Sequence, residues 1–228
     1  IFELHEQFDI LVIDDNSPDG TADIVKQLMI EEPFNGHLFM MQRAGKLGLG
    51  TAYIAGVKWA LEHPHYEFIF EMDADFSHDP NDVPRLYNAC KLGGFDVAIG
   101  SRYISGVNVV NWPMQRVLMS YFASKYVRFI TGVPIHDTTA GFKCYRREVL
   151  QAIFFVYVRF KGYAFQIEMK FTAWKIGFKL AELPIVFTDR RQGSSKMSGG
   201  IFNEALWGVA NMKLKSLFVS YKKMHKQN

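Results

Sequence analysis

Residues 8–20, FDILVIDDNSPDG, pass from a short β-branched apolar run directly into a cluster of turn-forming residues. This pattern predicts a buried strand that ends in a loop. A helical pattern begins at Thr21, and a second strand and helix are predicted over 38–41 and 51–61. Strands that alternate with helices at these lengths predict an α/β fold with a mostly parallel sheet flanked by helices.

Two acidic clusters stand directly after predicted strands. Asp14-Asp15-Asp19 follow the first strand, and Asp73-Asp75-Asp79 follow the apolar run 68–72. Because ligands of open α/β sheets bind beyond the carboxyl ends of the strands, we expect the functional site there. Two carboxylates that flank one residue can hold a divalent cation that also takes diphosphate oxygens. Such acid pairs alone are common, and the second cluster strengthens the prediction.

Composition narrows the classes of function. The 228 residues are 49% hydrophobic, which is enough for one sizeable core. The formal net charge of +3 is too small to imply binding to nucleic acid, and no such partner is expected. Cys90 and Cys144 lack metal-ligand spacing, which argues against a zinc site or a disulfide framework and favours a reducing cytoplasm. No apolar run approaches the roughly 18 to 20 residues of a membrane-spanning helix.

The second half of the sequence is less regular. A long helix is predicted from Pro113 to Ile130, strands over 142–145 and 179–187, and another helix over 165–176. After Glu204 no acidic residue follows, and cationic residues stand among apolar ones: Lys213, Lys215, Lys222, Lys223 and Lys226. This pattern predicts a basic amphipathic helix that faces an anionic membrane surface.

Five motifs together resemble a known family. They are DDNSPDGT at 14–21, GKLGLG at 45–50, MDADFSH at 72–78, GSRY at 100–103 and AGF at 140–142. In this order they resemble the dolichyl- or polyprenyl-phosphate mannose synthases, inverting family 2 glycosyltransferases with the Rossmann-like GT-A fold. The resemblance implies transfer of a sugar, most plainly mannose from GDP-mannose, to a polyprenyl (dolichyl-type) phosphate with inversion.

The resemblance also implies roles on the donor side. Asp14 and Asp15 match acids that recognise the donor nucleoside, and Asp73 matches an acid near its ribose and metal. Asp75 matches the principal ligand of Mg²⁺ or Mn²⁺, and Lys46 is expected near the donor. A purely structural loop is the alternative for the segment that holds Lys46.

On the acceptor side, Arg102, Arg116 and Ser120 match positions that hold the phosphate of the lipid. Guanidinium groups suit this task because two phosphates approach each other and cationic forks relieve their repulsion. Arg116 and Ser120 are four residues apart and so share one helical face. Arg191 and Lys196, with Ser194, resemble a mobile acceptor loop, for which a solvated loop is the alternative.

Asp137 matches an acid near the reaction centre, and with Asp75 it is assigned as catalytic. Because a phosphate nucleophile is already ionised at neutral pH, we expect Asp137 to orient groups rather than remove a proton. Ser77 stands where relatives often carry Gln, and a hydroxyl is a poorer metal ligand than an amide carbonyl. His78 is expected to support the site from outside the metal's ligands.

The sequence departs from the family at its start, because the usual first strand and its loop, approximately Pro-Thr-Tyr-Asn-Glu, are missing. We therefore expect residues 1–211 to form an N-terminally incomplete glycosyltransferase domain and residues 212–228 a basic amphipathic tail. That tail predicts a cytoplasmic protein, peripheral at the membrane, held by the membrane surface or by a membrane-spanning partner subunit. Two alternatives stay open: a nucleotidyltransferase and a non-catalytic membrane-associated subunit.

Overall fold

The fold is described from a computed structural model that covers residues 1–4, 7–155, 164–189, 199–218 and Tyr221. Its strands are β1 (Ile10–Asp14), β2 (Leu38–Gln42), β3 (Phe68–Glu71), β4 (Val97–Ser101), β5 (Val109–Val110), β6 (Lys143–Arg146), β7 (Leu180–Pro184) and β8 (Phe187–Thr188). Its helices are α1 (Thr21–Leu28), α2 (Leu49–Glu62), α3 (Val83–Lys91), α4 (Met114–Thr131), α5 (Arg147–Phe155), α6 (Ala164–Ile176) and α7 (Gly199–Phe218).

Three sheets of described strands form the β layer. The largest has the order β3-β6-β4-β7, in which β6 runs antiparallel to both neighbours and β4 pairs in parallel with β7. β1 pairs in parallel with β2, and β5 pairs in parallel with β8. This mixed, mostly parallel arrangement confirms the α/β prediction. The single strand predicted over 179–187 is wrong, because the chain leaves β4 after Pro184 and pairs with β5 instead.

The β layer is divided between β1 and β3. Neither strand pairs with the other among the residues that the structure describes. Side chains still join the two parts. The rings of Phe8 and Phe70 meet edge to face at 5.7 Å, and the Tyr66 hydroxyl donates to Asp9 at 2.5 Å.

The core lies between β4, β6 and the helices that cover them. Val97, Ala98 and Ile99 of β4 are fully buried, as expected for a strand covered on both faces. α6 is buried along nearly its whole length, which explains its lack of a polar stripe. It nevertheless carries Gln166 and Lys170 into the interior, where they lie beneath the ends of the strands.

α7 runs without interruption through the boundary expected between residues 211 and 212. Val209 and Met212 pack against Val127 of α4 and Phe171 of α6. The ammonium group of Lys213 donates to the carbonyl oxygen of Thr131 at 3.0 Å, where it satisfies the carboxyl end of α4. The sequence suggested that Lys213 faces a membrane, whereas in the structure its ammonium group contacts the end of α4. The boundary between residues 211 and 212 stays a prediction.

The remaining lysines of the expected tail, Lys222, Lys223 and Lys226, lie outside the described residues, whereas Lys215 is exposed on α7. Among the described residues, the structure contains no helix that combines the length and the hydrophobicity needed to cross a bilayer.

Candidate active site

A cavity of about 170 Å³ opens where β3 and β4 end. Its polar wall combines carboxylates with guanidinium groups and hydrogen-bonding side chains: Tyr53, Asp73, Asp75, His78, Arg102, Arg116, Ser120, Gln166 and Asp189. Its apolar wall comes mainly from α4, α6 and the chain around β8: Met119, Ala123, Val127, Ile167, Ile185 and Phe187. The structure thus brings together five of the residues predicted from the sequence: Asp73, Asp75, Arg102, Arg116 and Ser120.

The acid pair lies in the turn that follows β3. One carboxylate oxygen of Asp73 accepts a hydrogen bond from the Tyr53 hydroxyl at 3.0 Å. The backbone N–H of Ser77 donates to Asp75 Oδ1 at 3.1 Å, and the Ser77 hydroxyl donates to the same oxygen. Ser77 thus orients Asp75 through two hydrogen bonds. Relatives often carry Gln at this position, where the amide oxygen could bind a metal ion, whereas the serine here holds a carboxylate.

His78 supports the acid turn as a neutral imidazole. Its Nδ1 accepts the backbone N–H of Asp73 at 3.2 Å, so the ring proton resides on Nε2. Burial lowers the pKa of His78, although the nearby charge of Asp73 opposes this effect. The ring also stacks on Phe142 with centroids 5.0 Å apart, which fixes its plane.

Arg102 and Asp137 form a buried ion pair at the end of β4. Nε and Nη2 of Arg102 donate to the two oxygens of Asp137, each at 2.6 Å, and the backbone N–H of Arg102 donates to Asp137 at 3.0 Å. Burial alone would raise the pKa of Asp137, but the Arg102 guanidinium outweighs it and lowers that pKa. The same contact raises the pKa of Arg102 against the effect of burial.

Asp137 is fully buried and does not line the cavity, whereas Arg102 does. Its carboxylate oxygens accept from Arg102 and Thr139. The assignment of Asp137 as catalytic, with an orienting role, stays a prediction.

Arg116 of α4 lies beside the aromatic ring of Trp112. Its guanidinium carbon is 4.0 Å from the ring centroid, and its Nη1 donates to Asp189 at 2.9 Å. Within the described part of the chain, Arg116 Nε and Trp112 Nε1 are buried donors without a hydrogen-bond partner. Because unmet buried donors are costly, this pair indicates a place for an anionic ligand.

Ser120 lies one helical turn beyond Arg116 and is engaged by a second aromatic residue. The Tyr103 hydroxyl donates to Ser120 Oγ at 2.7 Å. Tyr103 follows Arg102 directly, so the contact ties the end of β4 to α4. The two predicted acceptor elements are thereby held at a defined distance from each other.

The predicted nucleoside residues lie outside this cavity, at the end of β1. Asp14 is nearly buried and accepts the backbone N–H of Ser17 at 3.1 Å. Hydrogen bonds from Ser17 lower the pKa of Asp14. Both oxygens of Asp15 accept from Arg43, at 2.6 and 2.7 Å, and Lys46 is exposed in the loop before α2.

Three predicted residues of the acceptor loop, Arg191, Ser194 and Lys196, lie outside the described residues. Their assignment to the acceptor phosphate stays a prediction. Asp189, the last described residue before this segment, does line the cavity and accepts from Arg116.

Sequence reasoning missed the polar residues beneath the cavity. Lys143 is fully buried and pairs with Glu71 at 2.6 Å and with Gln166, which lines the cavity. Burial lowers the pKa of Lys143, and the charge of Glu71 opposes this shift. The available signals were Glu71 within the apolar run 68–72 and the charged residues Glu168 and Lys170 within the helix predicted over 165–176.

The donor set of the acid turn fits a divalent cation of the Mg²⁺ or Mn²⁺ type. Asp73 and Asp75 offer hard carboxylate oxygens that line one cavity, which is the arrangement these ions take up beside substrate phosphates and water. No group of three or more His, Cys, Asp or Glu residues comes together as an all-protein metal site among the residues described. The remaining ligands would therefore come from the substrate and from water.

A mostly parallel α/β fold with an acid pair after β3 and Arg102 after β4 is the arrangement that the resemblance to GT-A glycosyltransferases predicts. Residues 1–154 match the family described as Glycosyl transferase family 2, and the chain belongs to this family. The comparison confirms the resemblance that the five motifs carried, and it establishes that the protein is a glycosyltransferase.

Two curated relatives match most of the chain. The polyprenol monophosphomannose synthase of Mycolicibacterium smegmatis is 48% identical over 204 residues, which are 90% of this chain and 76% of that protein. The undecaprenyl-phosphate mannosyltransferase of Micrococcus luteus is 44% identical over 207 residues, which are 89% of this chain and 83% of that protein.

Solved structures support the fold. Glucosyl-3-phosphoglycerate synthase from Mycobacterium tuberculosis, in complex with phosphoglyceric acid, gives a TM-score of 0.59 at 14% identity over 92% of this chain and 69% of that chain. The same enzyme with Mn²⁺, UDP-glucose and phosphoglyceric acid gives a TM-score of 0.58 at 14% identity over 92% and 68%. At this identity the likeness concerns the fold alone.

Proposed function

We propose that this enzyme transfers mannose from GDP-mannose to a polyprenyl phosphate with inversion at the anomeric carbon. The observation that carries the proposal is the cavity itself, where the Asp73 and Asp75 carboxylates and the Arg102 and Arg116 guanidinium groups line one space. A site of this kind can hold a metal-bound diphosphate and a second phosphate together. Both curated relatives carry names that describe mannose transfer to a polyprenol-type acceptor.

On the donor side, Asp73 and Asp75 would hold the diphosphate through a divalent cation. The ion, when bound, supplies positive charge that stabilises the departing nucleoside diphosphate. Tyr53 and Ser77 keep the two carboxylates turned toward their ligand through the hydrogen bonds described above. Asp14, Asp15 and Lys46 remain our candidates for the nucleoside.

On the acceptor side, Arg116 would take the lipid phosphate through donors that the described chain leaves unused. Arg102 adds a second fixed positive charge, and Ser120 adds a hydroxyl on the same face of α4. A phosphate oxygen would attack the anomeric carbon while the bond to the diphosphate oxygen breaks, and the nucleoside diphosphate departs. Because the attacking oxygen is already ionised, alignment rather than proton removal is the task of these side chains.

The apolar wall of the cavity suits the lipid that follows the phosphate. Met119 lines the cavity and is also 44% exposed, so this wall continues to the protein surface. Exposed apolar side chains extend the surface over α4 and α7: Met114, Leu118, Phe122, Phe129, Trp207, Leu214, Leu217 and Phe218. Exposed apolar groups of this extent on adjacent helices mark a contact with a membrane or a partner.

We therefore propose that α4 and the end of α7 face the bilayer, with Lys215 toward anionic headgroups. A chain with Leu118→Ser, Phe122→Ser and Phe129→Ser should cosediment less with anionic vesicles than the wild type does. The matched control replaces Ile24, Ile30 and Leu92, which are exposed on helices or turns away from α4 and α7, by serine. Equal losses in both triple variants would contradict the assignment of this surface.

Product analysis tests the transfer itself. With GDP-mannose, Mg²⁺ or Mn²⁺ and a short polyprenyl phosphate, we expect mannosyl phosphoryl lipid of inverted configuration together with GDP. Release of mannose 1-phosphate, with GMP joined to the lipid phosphate, would instead indicate nucleotidyl transfer. Preference for UDP-glucose over GDP-mannose would overturn the choice of sugar and base and would leave the mechanism intact.

A further inference from the structure

The segment His136–Ala140, which precedes β6, is held by a buried charge at each of its ends. It contains Asp137, which fixes Arg102, and Thr139, whose hydroxyl accepts Arg102 Nη2 at 2.8 Å. Thr139 and Ala140 also line the cavity. The position of this segment therefore determines where the Arg102 guanidinium points.

Glu182 of β7 holds the beginning of the segment. Its carboxylate accepts the backbone N–H groups of His136 and Asp137, at 2.7 and 2.8 Å. It also accepts the Ser101 hydroxyl at 2.7 Å, which links the segment to the residue before Arg102. The side chain of Glu182 is only 4% exposed.

Lys170 of α6 holds the end of the segment. Its ammonium group donates to the carbonyl oxygens of Thr138 and Ala140, at 3.0 and 2.7 Å, and to Gln166 of its own helix at 3.3 Å. An ammonium group has three N–H donors, so each has a backbone acceptor here. Lys170 is 1% exposed, and none of its three acceptors is a carboxylate.

We propose that Lys170 and Glu182 are positioning residues for the acceptor phosphate, which act by holding the backbone of His136–Ala140 so that Asp137 fixes Arg102 in the cavity. The inference rests on the proposed function for its assignment of Arg102 to the acceptor. Neither residue lines the cavity, so both act through the segment between them.

Burial of the charged groups of Lys170 and Glu182 is energetically unfavourable, which indicates a role beyond packing. Burial and the neighbouring charge of Lys143 lower the pKa of Lys170, whereas the three backbone carbonyl groups that accept from its nitrogen favour the ammonium form. Well-packed apolar side chains often replace a buried ion pair without loss of stability. A backbone segment that presents carbonyl groups at one end and N–H groups at the other, by contrast, needs a donor and an acceptor.

The test compares Lys170→Met and Glu182→Gln with Lys213→Met. Lys213 also donates to a backbone carbonyl, that of Thr131, but away from the cavity. In the full chain we expect both test variants to raise the KM for polyprenyl phosphate about tenfold or more and to change the KM for the donor by less than about twofold. Lys213→Met should change neither KM by more than about twofold.

Hydrogen exchange provides a measurement that does not depend on turnover. The backbone N–H of Arg102 donates to Asp137, so its exchange reports whether Asp137 remains in place. We expect faster exchange at Arg102 and at residues 137–140 in both test variants and unchanged exchange in β4 before Ser101.

Unchanged exchange at Arg102 in either folded test variant would overturn the positioning role, whatever the enzyme transfers. Equal rises of both KM values, or a similar rise in Lys213→Met, would overturn it too. If Lys170→Met does not fold, Glu182→Gln carries the test, and failure of both to fold would show a general structural role in place of the proposed one. Absence of transfer in the wild type would refute the proposed function and leave the exchange result to be judged separately.

Discussion

The cavity wall around Arg102 and Arg116, which is our proposed acceptor side, and the β1–β2 side of the molecule hold their charged groups in different ways. Asp137 is fully buried and its partner Arg102 nearly so, whereas the pair of Asp15 and Arg43 retains 24% and 11% side-chain exposure. The acceptor side is therefore held by a buried ion pair, whereas the Asp15–Arg43 pair of the β1 side is partly exposed.

This contrast has a consequence for substitutions. On the acceptor side, removal of one charge leaves another buried without its partner, so stability and geometry change together. On the β1 side, water can solvate the group that remains, so the cost should be small. For Asp73 and Asp75, which lie in the turn after β3, we expect substitutions to lower turnover rather than stability.

Asp75→Asn should produce the largest effect on activity. An amide removes the negative charge that would hold the cation, and loss of several kcal/mol of transition-state stabilisation lowers kcat/KM by about 10³-fold or more. Steady-state transfer assays and the thermal shift caused by GDP-mannose with Mn²⁺ measure the change. The matched control is Asp19→Asn, an exposed acid that caps Thr21, which should remain within about twofold of the wild type.

Asp137→Asn should produce the largest effect on stability. It leaves the Arg102 guanidinium buried without a counterion, which typically costs about 3–5 kcal/mol. Urea unfolding at neutral pH measures the difference in free energy of unfolding. A loss below about 1 kcal/mol would show that the acceptor side is no more preformed than a surface ion pair.

The same pair gives stability a defined dependence on pH. Because the folded-state pKa of Asp137 is lowered from 3.8, its contribution is complete above that value and is lost as pH falls through the folded pKa. The gap in unfolding free energy between wild type and Asp137→Asn should therefore be constant from pH 7 to 5 and should narrow below about pH 3.8. A gap that widened on acidification would contradict the lowered pKa.

Arg43→Met should produce the smallest effect and so sharpen the comparison. The pair with Asp15 is partly exposed, and such pairs contribute roughly 1 kcal/mol or less. Thermal unfolding of this variant beside Asp137→Asn gives the contrast directly. If both variants lose equal stability, the contrast that we draw between the buried ion pair and the partly exposed one is wrong.

The sequence predicted the elements better than their connections. The β-branched run before Asp14 and the apolar run before Asp73 gave strands at both sites, and the spacing of Arg116 and Ser120 placed them on one face of α4. Patterns of this kind are local, so they survive without knowledge of the fold. The antiparallel direction of β6 depends on its pairing with the distant strands β3 and β4, which periodicity does not encode.

The polar network below the site was beyond reach for a related reason. Lys170 and Glu182 are separated from Asp137 by 33 and 45 residues, and only the fold brings them to one segment. Lys213 shows the opposite error, because a lysine among apolar residues resembled a membrane contact and instead satisfies the end of α4. For all three residues, the fold determines which backbone groups lie within reach of the long charged side chain.

The most direct test of the division into donor and acceptor sides is the steady-state kinetics of Arg116→Ala with both substrates varied. We expect the KM for polyprenyl phosphate to rise about tenfold or more, with the KM for GDP-mannose unchanged within about twofold, because the lost contact is to the lipid phosphate. Arg116→Lys should restore only part of the loss, since an ammonium group cannot reproduce the planar fork. Equal rises of both KM values in Arg116→Ala, or full activity of that variant, would contradict the assignment of this side of the cavity to the acceptor.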